Sequence, residues 1–174
     1  MRISLKKREK MMKKLLNLKV VGIALGMALP VLAFAQPASQ QKVREEITQQ
    51  MKRYESALNA SDTARIVKLY SKDGIFIPQY SQPAIGQDAI RQTYDGIFKN
   101  IKLNVRFTIN EIQPVSKDWA FVRTQSKGTV KTLGEKPTES AEGNNEIFIL
   151  HREKDGQWRF ARYLFASDKA PASK

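Results

Sequence analysis

From Ile101 to Asn110 every second residue is apolar: Ile101, Leu103, Val105, Phe107 and Ile109 alternate with Lys102, Asn104, Arg106, Thr108 and Asn110. Successive strand side chains point to opposite faces, so this run is a long strand with one buried face. A one-sided strand needs antiparallel neighbours and a layer to cover its apolar face. Such neighbours follow. Ser116-Lys117-Asp118 turns into a second strand, about Trp119–Leu133. Residues 134–144 read as a polar connection. A third strand, Glu146–Arg152, passes through Glu153-Lys154-Asp155-Gly156 into a fourth, Trp158–Phe165. Asp-Gly between alternating segments is a hairpin signal.

The covering layer precedes the strands. Val43, Ile47, Met51, Tyr54 and Leu58 recur every three or four residues and share one face of a helix over 41–60. Asn59-Ala60-Ser61-Asp62 ends it, and Asp62 can cap a short second helix carrying Ile66, Leu69 and Tyr70. Lys72-Asp73-Gly74 reads as a turn, and Ile75-Phe76-Ile77 as a short strand stopped by Pro78. A loop over 78–86 leads to a third helix, 87–100, with Ile90, Tyr94, Ile97 and Phe98 on one side. Helices gathered first and strands afterwards define an α+β fold. The expected form is a cone-shaped barrel: a strongly curved, mainly antiparallel sheet with three N-terminal helices covering its mouth.

The N-terminus belongs to another process. Residues 1–19 carry eight basic side chains against Glu9, and Val20–Phe34 is uncharged and apolar. Ala33-Phe34-Ala35 then supplies a small-residue cleavage site. This is the pattern of a cleavable signal peptide over 1–35. Fifteen uncharged residues fall short of the roughly 20 that span a membrane. The expected product is periplasmic or secreted, with no stable span after cleavage. Translation starts at Met1, Met11 or Met12. Residues 36–41 read as a flexible leader, 42–168 as the domain and 169–174 as a loose tail. Setting 1–35 aside removes eight of 30 basic and one of 17 acidic residues, leaving 22 against 16, a net charge of +6 rather than +13. Lys and Arg are dispersed, so nucleic acid is not an expected partner. With no Cys and one His, disulfides, thiolate chemistry and Cys- or multi-His metal sites are excluded. No phosphate loop or nucleophile elbow occurs, and no cofactor or metal is expected.

RYESALNASDTARIVKLYSKDGIFI (53–77), the GQDAI helix start (86–90) and the terminal DGQWRFARYLFASD (155–168) resemble the nuclear transport factor 2-like superfamily. The likeness is to its SnoaL-like and ketosteroid-isomerase-like branch of small bacterial proteins, including the SgcJ/EcaC group. It spans nearly all of 41–168. The resemblance implies a cone fold with a cavity; the fold hosts enzymes, binding proteins and association modules alike. In ketosteroid isomerase a first-helix tyrosine holds the developing enolate oxygen, and that position is Tyr54. The family's carboxylate base falls at Pro78, beside Ile77, and neither takes a proton. Its second oxyanion donor is a protonated aspartate; the matching segment here is Glu146-Ile147-Phe148, with Glu146 the acid.

The candidate catalytic residues are Tyr54 and Glu146. The candidate ligand-binding residues are Tyr54, Tyr80, Trp119, Arg123, Phe148 and Arg162. Arg123 and Gln125 share a strand face with Trp119 and Phe121; pointing inward with Arg162, they would hold a weakly anionic group, and pointing outward they form a solvated ladder. Tyr80, between two prolines, gates the cavity or simply packs. Trp158 reads as a core anchor and His151 as a cross-strand surface residue. Three functions stay open: binding of a small hydrophobic or weakly anionic ligand; isomerase- or cyclase-type catalysis by Glu146 and Tyr54; and homodimerisation or envelope docking through a sheet face bearing Trp119, Phe121, Phe148 and Phe160.

Overall fold

The computed structural model describes residues 38–169. The signal-peptide, Gln36-Pro37 and 170–174 readings lie outside the described residues. Helix α1 (Ala38–Asn59) buries Ile47, Met51, Tyr54 and Leu58, the expected stripe. It begins at Ala38, so residues 38–41 form its first turn. Its end is marked by Ser61 at φ 52°, and Asp62 then caps α2 (Thr63–Val67) by accepting the Arg65 N–H at 2.9 Å. Leu69 and Tyr70 lie beyond that helix, because Tyr70 opens strand β1 (Tyr70–Ile77).

Lys72-Asp73-Gly74 is therefore no turn. It sits inside β1, where pairing with the last strand shifts register between Tyr70 and Ile75. A Cβ on Gly74 would stand 3.0 Å from the Phe160 carbonyl oxygen, so the close approach favours glycine here. Strand β2 (Ala84–Ile85) and helix α3 (Gly86–Asn100) follow, and then β3 (Ile101–Pro114), β4 (Trp119–Thr132), β5 (Glu139–Arg152) and β6 (Trp158–Ser167). β5 begins before the expected Glu146: Glu139–Asn144 are strand, paired with β4 residues Lys131–Ser126. Their polarity reads as a loop in sequence, but here it is ladder.

The strands form one sheet in the order β2-β1-β6-β5-β4-β3. β1 joins β6 in parallel and every other pairing is antiparallel. The sheet curves without closing, so the cone has two edges, β2 and β3. Its inner face carries Ala120, Val122, Phe148, Leu150, Phe160 and Tyr163, all buried against the helices. Tyr54 meets Phe107, Phe148, Phe160 and Tyr163 edge-on at centroid distances of 5.3–5.8 Å. Trp158 is buried at one end, as expected. Its indole N–H donates to Glu46 Oε2 at 3.0 Å, and the Arg152 guanidinium lies 4.8 Å from its ring. No described helix is long and apolar enough to cross a membrane.

Candidate functional site

The inner face does not pack solid along its whole length. A cavity of about 280 Å³ remains between α1, α3 and the inner sheet face. At roughly 30 Å³ per water this is room for about nine waters, near the lower end of ligand pockets. Leu58, Phe76, Ile97, Leu103, Val105, Phe107 and Phe165 make its apolar wall. Pro78 and Gln79 lie at its side, Pro78 buried, where the resemblance puts a base.

One end is polar, and strand parity explains why. In β4 the residues in phase with Ala120 and Val122 are Thr124 and Ser126; in β5 those in phase with Phe148 are Glu146, Asn144 and Glu142. Glu146 is 2% exposed. The Thr124 hydroxyl donates to its Oε2 at 2.5 Å. Burial pushes this carboxyl up to about 7, against the pull of the Thr124 and Ser126 hydroxyls and with a smaller push from Glu142. Asn144 Nδ2 donates to Glu142 Oε1 at 2.8 Å and to Ser126 Oγ at 3.4 Å.

Facing the strands is a chain of tyrosines. Tyr54 and Tyr94 share a hydrogen bond of 2.7 Å between hydroxyls, and Tyr94 and Tyr70 one of 3.1 Å. Burial drives the hydroxyl pKa of Tyr54, Tyr70, Tyr94 and Tyr163 upward, so all four stay protonated and able to donate. Tyr54, Tyr94 and Tyr163 line the cavity together with Glu146. The geometry brings an acid near neutrality and neutral hydroxyl donors onto one apolar pocket. That is the equipment for holding a polar oxygen or moving a proton.

The structure thus joins Tyr54 and Glu146 and separates the other candidates from them. Trp119, Arg123 and Arg162 lie on the opposite face of the sheet, because they are out of phase with the buried residues of β4 and β6. Trp119 is 42% exposed, its ring 4.5 Å from that of His151; Arg123 pairs with Glu111 at 3.5 Å; Arg162 bonds the Ala161 carbonyl. They form no anion pocket here, and among the described residues the cavity wall holds no Lys, Arg or His. Phe148 is fully buried behind the wall, stacked on Tyr163 at 4.1 Å. Tyr80 is 89% exposed with φ 60°, pointing away from the cavity that its neighbours Gln79 and Ser81 line. Sequence reasoning missed Tyr163, Glu142, Asn144, Ser126 and Thr124 as site residues and read Tyr94 only as a helix face; strand parity with Phe148 and Val122 is the signal that finds the strand residues.

Fold and cavity together define a cone of the nuclear transport factor 2-like class. The chain belongs to the SnoaL-like domain family, whose sequence pattern matches residues 51–161. Among solved structures it is similar to a ketosteroid isomerase-like protein from Erwinia carotovora atroseptica, with 25% identity, a TM-score of 0.69, and 72% of this chain and 96% of that one covered. It also shares the fold of a protein named as a candidate scytalone dehydratase from Novosphingobium aromaticivorans (19% identity, TM-score 0.67, 78% and 91% covered). A candidate calcium/calmodulin-dependent protein kinase II association domain from Xanthomonas campestris is likewise similar in fold (16% identity, TM-score 0.58, 74% and 88% covered). No curated protein sequence matches the chain.

Proposed function

We propose that this protein is an exported SnoaL-like domain that binds a small, mainly apolar molecule in the cone cavity and grips its polar group at the Tyr54–Glu146 end. The observation that carries this reading is the cavity of about 280 Å³, with a mainly apolar wall and a polar end where Glu146, Asn144 and the tyrosine hydroxyls meet. The test is calorimetric titration with a bicyclic alcohol such as naphthylmethanol, against wild type and Leu103→Trp, which fills the pocket. Saturable binding lost in the variant, with its melting temperature retained, supports the reading; equal behaviour of both proteins overturns it. Export rests on the pattern of residues 1–35, and its test is the N-terminal sequence of the protein recovered from the cell envelope.

Catalysis is the second reading, and the position of Glu146 favours it. A carboxyl near pH 7 is half ionised at neutrality, where general acid–base catalysis works best, and Tyr54 would hold the substrate oxygen. Pro78 and Gln79 offer no base, so Glu146 would have to move the proton itself. Turnover of a β,γ-unsaturated ketone that survives Glu146→Gln unchanged excludes this assignment.

The uncovered sheet face supports a homodimer. Phe121, Ile147, Ile149 and Leu164 cluster on it, with Ile149 and Leu164 each 39% exposed, and a second copy of the same face would cover them.

A further inference from the structure

The ligand reading leaves the chemistry of the polar group open, and the cavity wall is informative about it. Among the described residues its charged members are Glu142 and Glu146, and no cationic side chain lines it. Every carboxylate oxygen is an acceptor. Asn144 stands between the two acids on the same strand face, and its amide nitrogen is committed to Glu142 and Ser126. Flipping that amide would set its oxygen against the Glu142 carboxylate, so the orientation is fixed. The Asn144 Oδ1 atom is then left buried without a hydrogen-bond partner, and a buried acceptor left unpaired is costly. Asn144 and Glu146 are two residues apart on one strand face, about 7 Å between their Cα atoms, and both side chains line the cavity, where one multi-donor nitrogen can serve the two acceptors. The rings of Tyr54, Phe107 and Phe165 line the same cavity, and an aromatic face attracts a cation.

We infer that the cavity takes an amine: a protonated ammonium head seated between Asn144 Oδ1 and the Glu146 carboxylate, with an apolar or aromatic body along the Leu103–Phe107 wall. This rests on the binding reading above and names its ligand class. The ammonium supplies the donors that Asn144 lacks and the positive charge that Glu146 lacks. At the Asn144–Glu146 end an anionic ligand meets acceptors with acceptors, and the tyrosine and serine hydroxyls of the described wall are left to donate to it.

A proton linkage follows. The groups facing Glu146 are Glu142 on its own strand, the Thr124 and Ser126 hydroxyls of β4, Tyr163 of β6 and Tyr94 of α3. Four of these are neutral hydroxyls and the fifth is an acid. Burial pushes the carboxyl up to about 7, and no cation among the described residues of the wall offsets that push. A bound ammonium does neutralise it and holds it ionised.

The test uses three probes of one size, naphthylmethylamine, naphthylmethanol and naphthoate, titrated calorimetrically into the wild-type protein and into Glu146→Gln. At pH 8 the amine is expected to bind at least tenfold tighter than the alcohol, with naphthoate weakest. Its affinity falls about tenfold between pH 8 and pH 6 as Glu146 protonates, while that of the alcohol stays level. Glu146→Gln brings amine and alcohol together and removes the pH dependence; retained alcohol binding shows the pocket intact. Equal affinities for amine and alcohol in the wild type, or preference for naphthoate, overturn the ammonium inference and leave the binding reading standing. No binding of any probe by the folded wild type overturns both.

Discussion

An ionised carboxyl that is 2% exposed, with hydroxyls for company and no ion-pair partner among the described residues, works against the fold that buries it. Glu146 carries its proton up to about 7 in the folded protein, against an ordinary value near 4.5. Between those values the folded state holds more protons than the unfolded chain, so the contribution of this group to stability falls as pH rises from 4.5 through 7. The full swing is about 3 kcal/mol at most. Urea unfolding at a series of pH values is expected to show that decline in the wild type and a flatter profile in Glu146→Gln, which gains on the wild type as pH rises from 4.5 through 7. Phe148 makes the opposite case. It is fully buried, stacked on Tyr163 and edge-on to Tyr54, so it holds up the rings that shape the cavity without touching the ligand space. Phe148→Ala is expected to cost about 3–5 kcal/mol in the same unfolding experiment.

The first helix does more than cover the sheet. Strand β3 is an edge, and an edge strand presents unpaired backbone groups. Asn59 at the end of α1 answers two of them: its Nδ2 donates to the Val105 carbonyl and its Oδ1 accepts the Val105 N–H, both at 2.8 Å. One turn earlier, Glu55 Oε2 accepts the Phe107 N–H at 2.7 Å. The side chains of α1 stand where a seventh strand would pair. Asn59→Ala leaves both Val105 groups without partners and is expected to cost about 1–3 kcal/mol, with faster hydrogen exchange at the Val105 amide as the local readout. How much of this is legible in sequence depends on the kind of regularity involved. The α1 stripe and the β3 alternation are local periods and can be read directly, and Tyr54 comes with the stripe. Residues 139–144 are hidden because they face a polar cavity: a strand whose inner residues are Glu142 and Asn144 has the composition of a loop. The parallel pairing of β1 with β6 joins segments far apart in the chain, and no local pattern encodes it. Parity correctly groups Trp119, Phe121 and Arg123 on one face. Which face turns inward is settled by the helices packed over Val122 and Phe148, and so Trp119, Arg123 and Arg162 fall outside the site while Thr124 and Ser126 fall within it.

At the scale of the molecule, the sheet separates two surfaces that the same alternation builds. In-phase residues of β4, β5 and β6 shape the cavity. The out-of-phase rows Phe121–Ile149–Arg162 and Arg123–Ile147–Leu164 shape the face that no described helix covers. Side chains on opposite faces of one sheet are separated by the backbone, so the two surfaces should respond to substitution independently. If the outer face is the dimer contact, a charge at its centre disrupts it at once, because a two-fold interface meets each substitution twice. Ile149→Lys is therefore expected to halve the mass seen by sedimentation equilibrium while leaving the affinity for naphthylmethylamine unchanged. Glu146→Gln is expected to do the reverse, lowering amine affinity and keeping the mass of the wild type. A wild type that stays monomeric at high concentration removes the second copy as the cover for Ile149 and Leu164 and leaves the cavity function untouched. Joint loss of mass and binding in Ile149→Lys would instead mean that the cavity depends on the assembled sheet, and the two faces would then have to be treated as one cooperative unit.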